Sequence, residues 1–175
     1  FEKRRLGDLV DSIKKVDSSL LDQFHYIDID SVDNYLNIIS NPKIIAGTEA
    51  PSRARQLVRK DDILFSTVRP YLKNIAIVPE YLDGQVASTG FCIIRSKIPE
   101  FVPFLFHLLL SDSFVDSLKE FYRGANYPAI SPKDLMDYRI PFPSIDLLVK
   151  FNSRSRQIDT NLKNQRKFLN EMTRF

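Results

Sequence analysis

The chain has 175 residues, of which 43% are hydrophobic, so it is long enough for one domain with a core and an added element, but not for two full domains. A single cysteine excludes an internal disulfide, and the absence of an apolar run of about 18 residues excludes a simple membrane span, so we expect a cytoplasmic protein. The net charge is +3, and residues 144–175 account for it with seven cations and three acids. Residues 1–143 contain 18 cations and 19 acids, which excludes a uniformly basic globule.

The first half of the chain predicts one short helix followed by strands. Apolar residues from Leu6 to Ile13 recur at i, i+3, i+4 and i+7, which predicts an opening helix. The following segments are rich in β-branched or aromatic residues, and we predict that they form one sheet with little helix between its strands. These segments are His25–Val32, Leu36–Ile39, Ile63–Val68, Asn74–Val78 and Phe91–Arg95.

The second half predicts three helices and then a break. Phe101–Leu110 is apolar on most of its surface, which predicts a buried helix. A second helix begins at Ser111 or Asp112 and ends at Gly124, and a short third helix begins at Ser131. Two prolines in Ile140–Pro143 predict a break in regular structure. We place the domain boundary there, between a globule of residues 1–143 and an extension of residues 144–175.

The extension predicts one long helix, because residues 144–175 contain no Gly or Pro. Apolar residues recur along it with alternating spacings of three and four, which is the period of a coiled-coil seam. We therefore predict a partner-helix interface, although the helix could instead fold back on its own globule. The predicted interface residues are Leu148, Phe151, Ile158, Leu162, Gln165, Leu169 and Met172.

The sequence contains no motif that is typical of a catalytic site or of a cofactor-binding site. The five glycines are too widely spaced to form a phosphate-binding loop or a dinucleotide fingerprint. His25, His107 and Cys92 form no cluster with the spacing of metal ligands, and Cys92 lies in an apolar run that predicts a small buried side chain. We predict no catalytic residue, no cofactor and no metal.

Three polar loops between apolar elements carry the candidate DNA-binding residues. The first is Ala50–Lys60, which places four cations within eight residues, the second is Arg69–Asn74, and the third is Arg123–Pro128. Arg and Gln side chains can read base edges and Lys can contact phosphate. Arg69 and Arg123 could equally tie their loops to the core. With two lysines nearer the amino terminus, the candidates are Lys14, Lys15, Ser52, Arg53, Arg55, Gln56, Arg69, Tyr71, Lys73, Asn74, Arg123, Asn126 and Tyr127.

Four short segments follow one another along the chain: Pro51–Arg55 (PSRAR), Asp62–Asn74 (DILFSTVRPYLKN), Ala87–Phe91 (ASTGF) and Tyr127–Ile130 (YPAI). In this order and spacing they resemble the target-recognition domain of type I restriction-modification specificity subunits. The helix beyond residue 143 resembles the spacer helix of that family. One departure is Asp61, which stands where the family commonly has Gly. We predict that the turn survives, because Asp tolerates the left-handed conformation better than most residues.

The resemblance implies an α+β fold, with a twisted, mostly antiparallel sheet and flanking helices before one long coiled-coil helix. It implies a non-catalytic subunit that recognises double-stranded DNA and directs a methyltransferase (modification) subunit and a restriction subunit to a bipartite site. A complete subunit of this family has two such domains and two long helices packed antiparallel. Because this chain has one of each and begins with Phe rather than Met, we expect a longer product or a second half supplied by another copy.

Two other functions are compatible with the sequence. The chain could be a helical interaction module for assembly, with the globule as a cap. A nuclease or other hydrolase is a third hypothesis, which requires clustered acids and a metal. The seam also predicts self-association, in which two copies pair their helices antiparallel about a twofold axis. The stretch from Leu148 to Met172 would be about 37 Å long as a helix, close to one turn of DNA, so it could set the distance between two readers.

Overall fold

The computed structural model describes residues 1–124 and 126–172, and it describes the side chains of the last helix as far as residue 158. The strands of these residues are Glu2–Arg5 (β1), Val10–Asp11 (β2), Gln23–Ile27 (β3), Val32–Asp33 (β4), Ile38–Ile39 (β5), Lys43–Ala46 (β6), Ala54–Leu57 (β7), Ile63–Ser66 (β8), Ile75–Ile77 (β9), Val86–Ser88 (β10), Phe91–Ser96 (β11) and Arg139–Phe142 (β12). The α-helices are Val102–Leu110 (α1), Asp112–Ser117 (α2), Pro132–Asp137 (α3) and Ile145–Met172 (α4).

Two four-stranded sheets form the centre of the globule. One has the strand order β6-β3-β10-β7 and the other has the order β2-β11-β8-β9. The described strand pairs are antiparallel except for β3 with β10. The predicted α+β class with mostly antiparallel pairing is therefore confirmed. The prediction of one sheet is wrong, because the two-residue connection Thr89–Gly90 sends β10 and β11 into different sheets.

The sheet that contains β8 and β11 is buried on both of its faces. On one face, Phe65 and Ile94 pack into a large core with the helices. On the other face, Leu64 and Ile93 pack into a second core with residues of the first sheet. Cys92 faces the helices, and burial raises the pKa of its thiol to about 12. The prediction that Cys92 is a small buried side chain is confirmed.

The opening helix predicted over Leu6–Ile13 is wrong. The structure has β1, then a 3-10 turn at Leu6–Leu9, and then β2. The two strands pair with distant partners, β1 with β12 and β2 with β11. The buried side chains of Leu6 and Leu9 agree with the apolar periodicity. Pairing with strands far away in the chain therefore overrides the local helical pattern.

The break predicted at Ile140–Pro143 is also wrong, because its first three residues belong to β12. Pro141 lies opposite Lys3 in the two-stranded ribbon of β1 and β12. A proline is tolerated there because an edge strand has one side that needs no ladder hydrogen bond. The predicted strand His25–Val32 is shortened, since Asp28 accepts hydrogen bonds from Ser31 and caps a 3-10 turn.

The helices after residue 99 are close to the prediction. The buried helix α1 is confirmed, and α3 begins with Ser131 as its N-cap, whose hydroxyl accepts from the backbone N–H of Asp134. The second helix is shorter than predicted, because α2 passes into a 3-10 turn at Leu118–Phe121 before Gly124. No single helix of the described residues is long and apolar enough to cross a membrane, although a bent pair, Pro99–Leu110 with Asp112–Phe121, meets that test together.

The long helix α4 begins inside the core of the globule. Leu148 is fully buried in the large core, and the ring of Phe151 packs edge-on against Phe104 at 5.5 Å. The Asn152 amide donates to the Glu100 carbonyl at 2.9 Å. The alternative that this helix packs on its own globule therefore holds for about its first three turns. The division at residue 143 stays a prediction, and the core extends past it.

A buried ion pair ties the start of β8 to β11 and the end of β7. Asp62, whose side chain is 1% exposed, accepts from Arg95 Nε at 2.8 Å and from an Arg95 terminal nitrogen at 2.7 Å. Asp62 also accepts from the backbone N–H of Arg59, and Arg95 donates to the Leu57 carbonyl. The hydrogen bonds that Arg95 donates to Asp62 raise the pKa of Arg95. This pair therefore needs both of its partners.

We predict that Asp62→Asn lowers the free energy of unfolding by about 3 kcal/mol, because the guanidinium of Arg95 is left buried without its counter-ion. Urea denaturation measures the loss. The matched control is Asp61→Asn, because Asp61 is exposed and its left-handed φ of 66° suits Asn equally well. A loss for Asp62→Asn no larger than that of the control would contradict the prediction.

Candidate nucleic-acid interface

The segment with the two amino-terminal lysines lies beside the first polar loop. The Val16 N–H donates to the Arg55 carbonyl at 2.9 Å, and the Leu57 N–H donates to the Lys14 carbonyl at 3.1 Å. These bonds extend the edge of the sheet at β7. As a result, Lys14 and Lys15 are exposed next to the cations of the first loop.

The first loop is connected to the second loop through Thr89 and Gly90. The Thr89 N–H donates to the Arg53 carbonyl at 2.9 Å. The N–H of Thr67 donates to the Gly90 carbonyl at 3.0 Å, and the Thr67 hydroxyl donates to the same oxygen at 2.9 Å. The two-residue connection between β10 and β11 thus holds the two loops side by side.

The second loop is connected to the third loop by further backbone hydrogen bonds. The Arg69 N–H donates to the Pro128 carbonyl at 2.8 Å, and the Ile130 N–H donates to the Thr67 carbonyl at 2.9 Å. Arg123 and Ala129 exchange two bonds of 2.9 Å within the third loop. The three predicted loops and the lysine segment therefore adjoin one another through backbone hydrogen bonds, and we call their combined outer surface the joined face. It consists of Lys14–Val16, Ser52–Gln56, Thr67–Asn74, Thr89–Gly90, Arg123 and Asn126–Ala129.

The candidate DNA-binding residues all lie on the joined face. Nine of them are exposed: Lys14, Lys15, Ser52, Arg53, Arg55, Tyr71, Arg123, Asn126 and Tyr127. Four are partly buried: Gln56, Arg69, Lys73 and Asn74. DNA contact by these residues stays a prediction, and the structure shows only that the segments that carry them are linked by backbone hydrogen bonds.

Several candidates have partners inside the protein. The Gln56 amide donates to the carbonyls of Ser88 and Phe91 at 2.8 and 2.9 Å, so it braces the connection between the sheets. The Arg55 Nε donates to the Ser52 carbonyl at 2.8 Å. The amide nitrogen of Gln56 is thus bonded inside the protein, which indicates a structural role.

Two further cations form ion pairs. Lys73 pairs with Asp112, and Arg123 pairs with Asp134 at 3.0 Å. The alternative in which Arg123 ties its loop to the domain therefore agrees with the geometry. Both acids are outside the joined face, so each pair lowers the positive charge that the face offers to an anion.

The cations of the first loop are separated in space, which the sequence did not predict. Arg53 and Arg55 lie on the joined face, whereas Lys60 lies beyond the other end of β7 and pairs with Glu80 at 3.1 Å. The connecting residues Thr67 and Thr89 were not predicted as part of the site. Their signal was the ASTGF segment, in which a small residue and a glycine between two strands indicate a tight connection.

The predicted helix-partner residues fall into three groups. Leu148 and Phe151 pack against the globule, so they are not free for a partner helix. Ile158 is 59% exposed. The remaining positions, whose side chains lie outside the described ones, are Leu162, Gln165, Leu169 and Met172.

The histidines and acids form no metal site among the described residues, where no three of the potential ligands come together. His107 is exposed on α1, and its Nε2 lies 3.2 Å from the hydroxyl of Ser155 on α4. His25 lies on β3, where its ring Nδ1 is 3.3 Å from the Gln85 amide oxygen. Each histidine therefore has a structural partner.

Comparisons with known proteins relate this chain to the specificity subunits of type I restriction enzymes. The type I restriction enzyme HindI specificity subunit of Haemophilus influenzae is 33% identical over 96 residues, which are 53% of this chain and 20% of that protein. The HsdS subunit from Thermoanaerobacter tengcongensis superposes with a TM-score of 0.81 at 37% identity, covering 95% of this chain and 44% of the other. The predicted resemblance to type I specificity subunits is confirmed. No family model matches the chain.

A second solved structure supports the relationship to specificity subunits. It describes complex assembly and conformational transition of the type I R-M system, and one of its chains superposes with a TM-score of 0.83 at 36% identity. This match also covers 95% of the present chain, so it extends into α4. The chain spans 44% of the length of each solved relative and 20% of the curated one.

We predict that Gly124→Ala destabilises the third loop more than a typical positive-φ glycine substitution would. Gly124 has a φ of 86°, and a Cβ there would lie 2.9 Å from the Tyr127 carbonyl. Gly84 is the matched control, because its φ is 75° but no atom lies within 4 Å of its Cβ position. We expect about 1 kcal/mol of lost unfolding free energy for Gly84→Ala and about twice that for Gly124→Ala. Equal losses in thermal or urea denaturation would show that the contact with Tyr127 has no effect.

Proposed function

We propose that this chain is one DNA-reading half of a type I restriction-modification specificity subunit. It binds double-stranded DNA in a sequence-specific manner and directs an adenine methyltransferase subunit and a restriction subunit to a bipartite site. It has no catalytic activity of its own, and it acts in the cytoplasm, where the DNA is. The proposal rests on the relationship to specificity subunits together with the geometry of the joined face.

The observation that carries the proposal is that backbone hydrogen bonds bring three separate polar loops and a lysine segment into one surface. Arg53 extends from the turn at Pro51–Ala54 without any hydrogen bond or ion pair to its side chain in the described part of the chain. Tyr71 and Tyr127 are 45% and 67% exposed on the same surface. Unpaired arginines beside exposed aromatic rings suit the base edges and phosphates of DNA.

The distribution of charge explains how a globule with slightly more acids than cations can bind a polyanion. Asp134 and Asp112 pair with Arg123 and Lys73 of the joined face, while Lys14, Lys15 and Arg53 have no ion pair among the described residues. The acidic surplus of residues 1–143 lies elsewhere. Nonspecific affinity is therefore limited, and binding depends on contacts made by this one surface.

We propose that α4 connects the joined face to a second DNA-reading domain. The first turns of α4 are buried in the core, which fixes the direction of the helix relative to the loops. Beyond Ile158, the predicted seam can pair with a second long helix, either in a longer product or in a second copy. In this arrangement, two joined faces lie along one DNA duplex and each reads half of the site.

Selection from a pool of random duplexes tests the function. The chain is assembled with a type I methyltransferase subunit, bound DNA is recovered through several rounds, and the enriched sequence is read. We expect a short defined sequence on one side of a spacer. Recovery of duplexes with no common sequence would contradict the proposal. Incubation of plasmid DNA with the chain and Mg²⁺ is expected to give no cleavage, and cleavage would support the nuclease hypothesis.

We predict that Arg53→Ala lowers affinity for the enriched duplex by about 2 kcal/mol, because a bidentate contact to a base edge is lost. The matched control is Lys97→Ala, since Lys97 is also exposed but follows the far end of β11, about 20 Å along the strand from the joined face. Fluorescence anisotropy gives both affinities. An equal effect of the two substitutions would show that the cation at position 53 makes no specific contact.

An assembly module is the second candidate function, and the surface of α4 favours it. Ile145, Leu147, Val149 and Ile158 are 47%, 45%, 53% and 59% exposed on this helix. Ile145 and Val149 are four residues apart and lie on the same side of the helix, where exposed apolar side chains favour a covering partner. This candidate predicts that Arg53→Ala leaves every activity of the complex intact.

We predict that Ile158→Asp weakens self-association or pairing with a second half, because a charge enters an apolar seam. Gln157→Asp is the matched control, since Gln157 is exposed at the neighbouring position outside the seam. Light scattering over a concentration series gives the mass of each variant. If the parent chain is a dimer, we expect a shift toward monomer for Ile158→Asp alone. A monomer for the parent chain at all concentrations would exclude self-association.

A further inference from the structure

Unsatisfied polar atoms and strained backbone are concentrated where the second and third loops meet. Among the described residues, three buried polar side-chain atoms have no hydrogen-bond partner, and two of them are Arg69 Nε and Tyr122 Oη. Arg69 and Lys73 have φ angles of 48° and 53°, and they are two of the four described non-glycine residues with positive φ. A fold tolerates such costs mainly at sites where a ligand is bound.

The guanidinium of Arg69 is held in position without a counter-ion. The Arg69 guanidinium carbon lies 4.4 Å from the centre of the Tyr127 ring, so the charged group stacks on the aromatic face. The backbone N–H of Arg69 is fixed by the Pro128 carbonyl. Lys73 and Arg123 of the same two loops each pair with an acid, whereas Arg69 has no ion pair within the described part of the chain. Its charge therefore remains uncompensated.

The position of Arg69 suits a phosphate better than a base. Its side chain is partly buried and its guanidinium lies over the Tyr127 ring, so it is held against the third loop. The major groove is about 8.5 Å deep, and a side chain must project to reach base edges there, whereas phosphates lie at the outside of the duplex. Arg53 provides the contrast, because it is exposed at the tip of a turn. A planar guanidinium also matches the oxygens of a phosphate.

We propose that Arg69, stacked on Tyr127, contacts a phosphate of the DNA backbone and positions the joined face, while Arg53 reads a base. This inference rests on the proposed function and adds a division of roles within the joined face. Phosphate contacts fix the register of a protein on DNA without carrying sequence information. The two arginines therefore differ in what their removal does to affinity and to specificity.

The test compares binding to the enriched duplex and to a scrambled duplex over a series of NaCl concentrations. The protein is the chain assembled with a type I methyltransferase subunit, and fluorescence anisotropy gives the dissociation constants. We expect Arg69→Ala to weaken binding to both duplexes by the same factor, about tenfold. The slope of log affinity against log salt should become shallower by about 1. Arg53→Ala should weaken binding to the enriched duplex alone.

Conservative variants separate the phosphate contact from an effect on folding. Arg69→Lys keeps the charge, so the salt slope should stay within error of the parent while some affinity is lost. Tyr127→Ala removes the stacking surface, and its effect should not add to that of Arg69→Ala, because the two side chains act as one unit.

Two results would overturn the inference while leaving the proposed function standing. The first is a change in the enriched sequence for Arg69→Lys, which would make Arg69 a base reader. The second is an unchanged affinity and salt slope for Arg69→Ala in protein that melts at the parent temperature. If the parent assembly itself does not distinguish the enriched from the scrambled duplex, the proposed function fails, and this inference fails with it.

Discussion

The antiparallel pairing of β8 with β11 is the interaction on which the rest of the structure depends. These strands are buried on both faces, between the helices and the second sheet, so their register cannot shift without moving both cores. The pairing of Phe91 with Ser66 brings Gly90 beside Thr67, and this contact joins the first loop to the second loop. At the opposite end of the same strands, Asp62 and Arg95 fix the register through a buried ion pair.

The parts of the fold that local chemistry determines were predictable from the sequence. Helix α3 begins where Ser131 precedes a proline, and α1 follows from an apolar segment bounded by Pro99 and Ser111. The turn before β8 keeps its left-handed residue although Asp61 replaces the glycine common in the family. In each case, the deciding signal lies within a few residues of the element. These elements are therefore encoded by short stretches of the sequence.

The parts that depend on distant partners were not predictable in the same way. The helical spacing of Leu6–Ile13 correctly marks the buried side, but strand pairing with residues far along the chain decides the backbone conformation. Similarly, the sequence identifies three polar loops but cannot show that Thr67 and Thr89 join them. It also cannot show that the Gln56 amide points inward to two carbonyls. These features depend on the separation of β10 and β11 into two sheets, which no local pattern encodes.

The joined face is held together mainly by main-chain hydrogen bonds, so several of its side chains are free to vary. Most of its links run through backbone N–H and carbonyl groups, while Ser52, Arg53, Tyr71 and Asn126 give no side-chain hydrogen bond to the described scaffold. Exchanging these four side chains therefore leaves the frame intact, and each exchange presents a different chemistry at an unchanged place. A single scaffold can thus host many alternative sets of contact groups, and new preferences can arise without a new fold.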